Sequence, residues 1–439
     1  MRRPLSTWMI CVAAVVFGAA LVWVLSRADI AEYISILGSN VPSDNVLTDY
    51  AKGTAWAVAL GASLFLWPVS LRDKGMLLGM WFIRCFVMLA VMLPYEEHYP
   101  GLDSWVYFTG AHAIDSDVLS ILLKGNSSFV MLLGALHLRI GPDSYHAMKV
   151  SSGYVGLAAI YLLYRAAIAL VRTEKPWIFW ALGLYPSILF WSSIMGKDPV
   201  VLFGIALHIW GLVQVVSHGK RKHLLTVVAG LAVASVVRIW MGPILLVPAL
   251  VLFALKIRHI GWRVLTVSAA LALLAFLAPV TASRLEIDPT SDLFSSTQSL
   301  SRGWDKANSA LHPDIQLNSM TDLILFTPQG VFAAYFRPLP GDLPHLLGWI
   351  AGLEDLILLL LSAWALLKTR KRYLRNHFFL WGVALLITWG LAYSLVSYKD
   401  LGTAVRFRLQ IMPVLLGMVW FLISRPFMIR LNNGYSAHV

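Results

Sequence analysis

The chain predicts an all-α polytopic membrane protein of about twelve transmembrane helices, with further helices lying in the outer interface. Three observations carry this. Of 439 residues, 58% are hydrophobic and 13% charged, against roughly 25% charged in a soluble domain. Apolar runs recur at the length a helix needs to cross the hydrocarbon, roughly 20 residues, because lipid offers no partner to an unpaired backbone amide. Basic residues fall in short clusters between those runs, where they orient a membrane protein. A water-soluble protein is thereby excluded. The net charge of +12, from 35 basic and 23 acidic residues, is divided among the connections rather than gathered on one soluble face, which argues against a nucleic-acid partner. The two cysteines, Cys11 and Cys85, both sit in apolar runs and can build neither a disulfide framework nor a metal cage.

The predicted spans run at 7–25, 54–70, 76–94, 150–171, 177–194, 199–216, 224–237, 241–255, 264–280, 346–367, 378–395 and 411–423. The opening Met1-Arg2-Arg3 resembles a signal peptide, but the run behind it is full-length and no small-residue cleavage site follows, so it reads as a span. Two spans thus occupy 1–75, a transmembrane core with the first large external loop (95–149) occupies 76–280, a second external loop fills 281–345, and 346–439 holds the last spans and a tail. With the N-terminus inside, the cytoplasmic connections carry Arg72/Lys74, Arg172/Lys175, Lys220/Arg221/Lys222, Lys256/Arg258/Arg263, the 368–375 cluster and Arg425/Arg430. Every one is basic, while the opposite side receives acidic or mixed loops, as the positive-inside rule requires. The run 129–140 is too short to span and reads as an interfacial helix. Both termini then face the cytoplasm.

All sizeable soluble surface therefore lies outside, and candidate chemistry belongs at the external helix ends. No GxxxxGK[ST], glycine-rich dinucleotide fingerprint or HExxH is present. In the first external loop, Asp103, Tyr107 and Ala111 share a helix face at i, i+4, i+8. A carboxylate just outside the bilayer suits general-base work on an acceptor hydroxyl, although Asp103 also sits where an N-cap is expected. Glu96 and Glu97 are rival bases. Lys197 and Asp198 stand at the turn between two apolar runs, Arg238 lies between two more, and Arg406 and Arg408 follow Gly402. Guanidinium forks beside a membrane suit a lipid-linked phosphate, with helix capping and head-group snorkelling as the plainer readings. Arg84, deep in a span, must face the bundle interior. Glu354 and Asp355 are placed to meet a cation from the same surface. The histidines show no metal-ligand spacing.

Over residues 76 to 424 the chain resembles the GT-C superfamily of polytopic, polyprenyl-phosphate-sugar-dependent glycosyltransferases, which includes protein mannosyltransferases and aminoarabinose transferases. The likeness rests on the order of Asp103…Tyr107…Ala111, the segment 126–141, Tyr161…Tyr164-Arg165, Tyr185-Pro186…Trp191-Ser192…Lys197-Asp198 and Gly402…Arg406-Phe407-Arg408…Pro413. Two departures stand out: two spans stand ahead of the usual one before the acidic loop, and no separate soluble domain follows. The resemblance implies a GT-C-like bundle with an external cavity, Asp103 as catalytic carboxylate, and Lys197, Arg238, Arg406 and Arg408 on the lipid phosphate.

The expected activity is transfer of a sugar from a polyprenyl-phosphate donor to a glycan, lipid or protein acceptor at the external face of a bacterial plasma membrane. A divalent metal is compatible with such a site but not required, since the cations can neutralise the phosphate. Alternatives are a polymerase of lipid-diphosphate-linked repeat units, a lipid or glycolipid flippase, and a scaffold for envelope assembly. Against transport, no internal repeat is evident, and the glycine and proline breaks gather toward the external ends.

Overall fold

The computed structural model describes residues 28–39, 41–98, 102–114, 124–257, 319–343, 346–369 and 374–424, with isolated positions at 121, 259–261, 264, 268 and 272. The predicted span at 7–25, most of that at 264–280, most of the second external loop and the basic tail lie outside these residues. Among the described residues every regular element is helical. In chain order these are α1 (Ala28–Leu37), α2 (Val46–Ser63), α3 (Leu71–His98), α4 (Asp103–His112), α5 (Ser127–Ile140), α6 (Tyr145–Val171), α7 (Pro176–Gly183), α8 (Pro186–Trp191), α9 (Lys197–His218), α10 (Leu224–Val237), α11 (Met241–Lys256), α12 (Met320–Phe336), α13 (Leu346–Leu367), α14 (His377–Lys399), α15 (Leu401–Arg408) and α16 (Met412–Ile423).

Among these, α3, α6, α9, α13 and α14, of 22 to 28 residues, are long and apolar enough to cross a bilayer. The pair α15 and α16, bent by 68°, is a sixth candidate. The protein is therefore an α-helical, membrane-spanning one, and the runs at 76–94, 150–171, 199–216, 346–367 and 378–395 fall in the five such helices found among the described residues. Other predicted runs emerge shifted, divided, or as helices shorter than a full crossing, for local reasons. α2 stops at Ser63, and Trp67 is extended (ψ 136°) because Pro68 follows it. The run 177–194 divides into α7 and α8 around Leu184 and Tyr185, just ahead of Pro186. The runs predicted at 224–237 and 241–255 are α10, of 14 residues, and α11, of 16, separated where Arg238 is extended (φ −136°, ψ 100°). The interfacial helix expected at 129–140 is α5.

The chain divides into two compact units, one of Met1–Tyr164, Lys175–Leu184 and Leu189–Ala206, the other of Arg165–Glu174, Tyr185–Ile188 and Leu207–Val439. In the first, α4 packs on α5 through small residues. A Cβ on Gly134 would come within 2.9 Å of Ala111 Cβ, and one on Gly110 within 2.7 Å of Met131 Sδ, so the two backbones approach closely. Asp49 of α2 starts α6 from outside it: its carboxylate accepts from the amides of Tyr145 (2.8 Å) and His146 (3.0 Å), two donors a helix start otherwise leaves unpaired. Between Val87 and Val91, α3 makes a π turn, and the Leu89 carbonyl accepts from the Tyr50 hydroxyl at 2.5 Å.

In the second unit α11, α12, α15 and α16 pack on α14. The indole of Trp389 donates to Gln410 Oε1 (3.1 Å) and its ring stacks on Tyr393 at 4.8 Å, so the polar end of a buried aromatic is satisfied. α13 turns Gly348, Gly352, Asp355 and Ser362 inward and leaves Leu353, Ile357, Leu360 and Leu367 exposed.

Candidate functional site

In the first unit the C-terminal end of α3 meets the N-terminal end of α6 at a buried ion pair. Lys149 Nζ, fully buried, donates to both oxygens of Glu96 at 3.0 and 2.9 Å. The Tyr145 hydroxyl donates to Glu96 Oε1 at 3.2 Å and shares a 2.9 Å hydrogen bond with Ser104 of α4. Tyr145 and Lys149 stand at i, i+4 on α6, so helix geometry alone brings both to one carboxylate. Desolvating either charge singly is costly, and the pair persists because every side of the carboxylate is hydrogen-bonded.

Asp103 directly precedes Ser104. It is exposed in the first turn of α4, with Leu102 rather than Asp103 at the N-cap position, and its negative charge there complements the helix N-terminus. The face it shares with Tyr107 and Ala111 is divided by depth: those two are buried, at 2% and 3% exposure, and root the helix. Glu97 is half-buried and accepts from Ser39 Oγ at 3.3 Å.

One turn along α6 from Lys149 lies a second buried cation. Arg84 Nη1 donates to the carbonyls of Gly153 (3.3 Å) and Ser192 (3.0 Å) and to Ser193 Oγ (3.1 Å), and Nη2 donates to Ser192 Oγ. The partners the sequence did not disclose are thus a backbone bend and two serines. Gly156 makes room for them, since a Cβ there would fall 1.9 Å from the Ser192 carbonyl oxygen. The tether fixes the segment that leads into α9, whose first turn carries Lys197, half-buried, and Asp198, 2% exposed.

The second unit holds Arg238, Arg406 and Arg408. Arg408 is 1% exposed and donates to Asp355, to the Ala334 carbonyl (3.0 Å) and to the Arg337 carbonyl. The cation expected to meet Glu354 and Asp355 is therefore Arg408. Glu354 accepts from the Ser187 amide (3.0 Å) and hydroxyl (2.5 Å). The guanidinium of Arg238 lies 4.2 Å from the Phe407 ring centroid, a cation–π contact. Asp400 caps α15 by accepting from the amides of Gly402 (3.1 Å) and Thr403 (3.2 Å), and Arg406 is half-buried on that helix. Outside the helices, Arg337 Nε donates to Asp342 at 2.8 Å and holds that carboxyl below its usual pKa.

A polar cleft of about 330 Å³ opens in the first unit, lined among others by Asp44, Asn45, Thr48, Phe108, His112 and Asp143. His112 Nε2 lies 2.9 Å from Asp143 Oδ1. Among the described residues no group of three or more His, Cys, Asp or Glu is arranged to hold a metal ion.

Of the predicted site residues, Asp103, Glu96, Glu97, Tyr107, Lys197 and Asp198 belong to the first unit, and Arg238, Arg406 and Arg408 to the second. Lys149, Ser193 and Asp49 were not singled out by the sequence, and Ser192 entered only as part of a motif. Lys149 carried a usable signal, a cation at the head of a long apolar run, which is expensive unless paired. The chain matches no family model, no curated protein and no solved structure.

Proposed function

We propose that the chain is a GT-C-like membrane glycosyltransferase that moves a sugar from a polyprenyl-phosphate donor to a glycan, lipid or protein acceptor. In this reading it has about twelve spans, lies in a bacterial plasma membrane with both termini cytoplasmic, and works on the external face. The supporting observation is the setting of Asp103: an exposed carboxylate at the start of a helix that Tyr107 and Phe108 anchor in the core. Asp103 takes the proton of an acceptor hydroxyl as that oxygen attacks the anomeric carbon. The carbon–oxygen bond to the lipid phosphate breaks, and polyprenyl phosphate departs with the electron pair, inverting the anomeric centre.

Glu96, whose oxygens accept from Lys149 and Tyr145, positions the helix ends in this reading. Glu97 is the second candidate base. Lys197, in the same unit as Asp103, is the cation assigned to the leaving phosphate, with Tyr107 and Asp198 as supports of the two helix starts. In the second unit Arg238, Arg406 and Arg408 are the candidate phosphate contacts, Arg408 also being held by Asp355 and two carbonyls and Arg238 lying against Phe407.

The test is release of polyprenyl phosphate by purified protein supplied with a lipid-linked sugar pool. Asp103→Asn is expected to lower release by at least about a hundredfold, the lower end of general-base contributions, with folding intact. Unchanged release would move the base to Glu97. Release of diphosphate identifies the polymerase variant of the same reaction, and lipid transport without bond cleavage would overturn the enzymatic reading.

A further inference from the structure

The polar cleft lies between the start of α2, the C-terminal half of α4 and the segment leading into α6, and none of the residues given a chemical role in the reaction just described lines it. Its volume of about 330 Å³ falls at the lower end of small-molecule sites, roughly 300–1,000 Å³. The walls are tied together. Asn45 Oδ1 accepts from the Thr48 amide (3.0 Å), Lys52 Nζ donates to the Asp143 carbonyl (3.1 Å), and Asp143 Oδ1 pairs with His112. Also among the lining residues are Asp44, Asn45, Thr48 and Phe108, which with Asp143 bring carboxylate, amide, hydroxyl and aromatic side chains to one cleft. Carboxylates, an amide and a hydroxyl around one aromatic ring form the donor and acceptor set that meets sugar hydroxyls. Asp44, Asp49 and Asp143 against Lys52 and His112 leave the cleft acidic, which repels a phosphate.

We infer that this cleft binds a neutral, hydroxyl-rich oligosaccharide and is the acceptor site, an assignment that rests on the transferase reading. Phe108 and His112 follow Asp103 along α4 by five and nine residues, a rise of about 8 and 14 Å and a turn of about 140° and 180° around the helix. A ligand that joins the cleft to Asp103 must pass around α4, which exceeds one sugar ring, so the acceptor is a chain: one unit sits in the cleft and a distant one presents its hydroxyl to Asp103.

The experiment applies full-length protein in detergent to an array of neutral hexose and N-acetylhexosamine oligosaccharides, with phosphorylated counterparts alongside. Retention of neutral oligosaccharides over phosphorylated ones is expected. Asp44→Asn and Thr48→Val, both at exposed positions, are expected to weaken retention at least about tenfold without moving the unfolding temperature. Absence of neutral-glycan retention by the unaltered protein, a preference for phosphorylated sugars, or equal retention by both variants overturns the inference. Polyprenyl phosphate release by the unaltered protein, measured in parallel, separates the two readings. Release without glycan retention sinks the cleft assignment alone; retention without release sinks the transferase and with it the acceptor role, leaving a glycan site.

Discussion

Arg84 and Lys149 show two ways of keeping a cation inside a membrane protein. Lys149 is neutralised by Glu96, whereas the hydrogen bonds of Arg84 run to uncharged oxygens of Gly153, Ser192 and Ser193. The consequences of substitution differ accordingly. Glu96→Gln leaves Lys149 desolvated beside a neutral amide and is expected to destabilise the fold by about 3–5 kcal/mol, while Glu96→Leu with Lys149→Met recovers most of that loss; thermal unfolding of the three variants in detergent checks it. Gly156→Ala drives a methyl group into the Ser192 carbonyl and is expected to cost at least about 1–3 kcal/mol, because the obstacle is backbone that cannot rotate aside. These residues were partly legible beforehand. Hydropathy alone marked Arg84 as needing an interior partner, but a partner 108 positions away in sequence depends on how helices align, which no local pattern encodes. Asp355 and Arg408 were legible as a kind of pair only because both kinds of charge fell at helix ends on one predicted side.

At the scale of elements, the start of α6 is the best-determined junction. Asp49→Ala removes the acceptor for two α6 amides and is expected to cost about 1–2 kcal/mol, the range of helix caps, visible as faster amide exchange in the first turn of α6. The same junction carries pH dependence of two signs. Partial burial opposes charge on the His112 ring, but the Phe108 carbonyl and the Asp143 carboxylate outweigh it and hold its pKa above 6.5. A raised pKa means that the stabilising contribution is complete below pH 6.5 and is lost as pH rises through the folded-state value. The unfolding-temperature gap between the unaltered protein and His112→Gln should therefore narrow on going alkaline. His137 behaves oppositely: burial lowers its pKa despite the Pro142 carbonyl and Asp143, so its contribution is present above pH 6.5 and is lost on acidification. Element boundaries were legible where apolar runs were uninterrupted, as in α13, whose bounds match the predicted 346–367. They were misjudged at Pro68 and Pro186, where counting apolar residues outweighed a local rule: the residue before a proline disfavours helix.

For the whole molecule, charge distribution and lipid contact make independent predictions. Reporter fusions at Lys220 are expected to read as cytoplasmic and those at Ser43 as external; the reverse pattern would invert the proposed orientation. On α13, Leu360 is 61% exposed, and Leu360→Arg is expected to disfavour insertion by roughly 2.5–3.5 kcal/mol, measurable as a reduced membrane-inserted fraction. The class of protein was legible from composition because crossing lipid constrains length and apolarity everywhere at once. The side-chain constellation was not, because it depends on rotations of helices about their axes. The π turn at Val87–Val91 sets one such rotation. Arg84 lies before it and Glu96 after it, so deleting a single residue there would twist the outer segment by about 100°, swinging Glu96 off Lys149 while Arg84 kept its serines. A single surplus residue thus acts as a phase offset between two polar layers of the same helix.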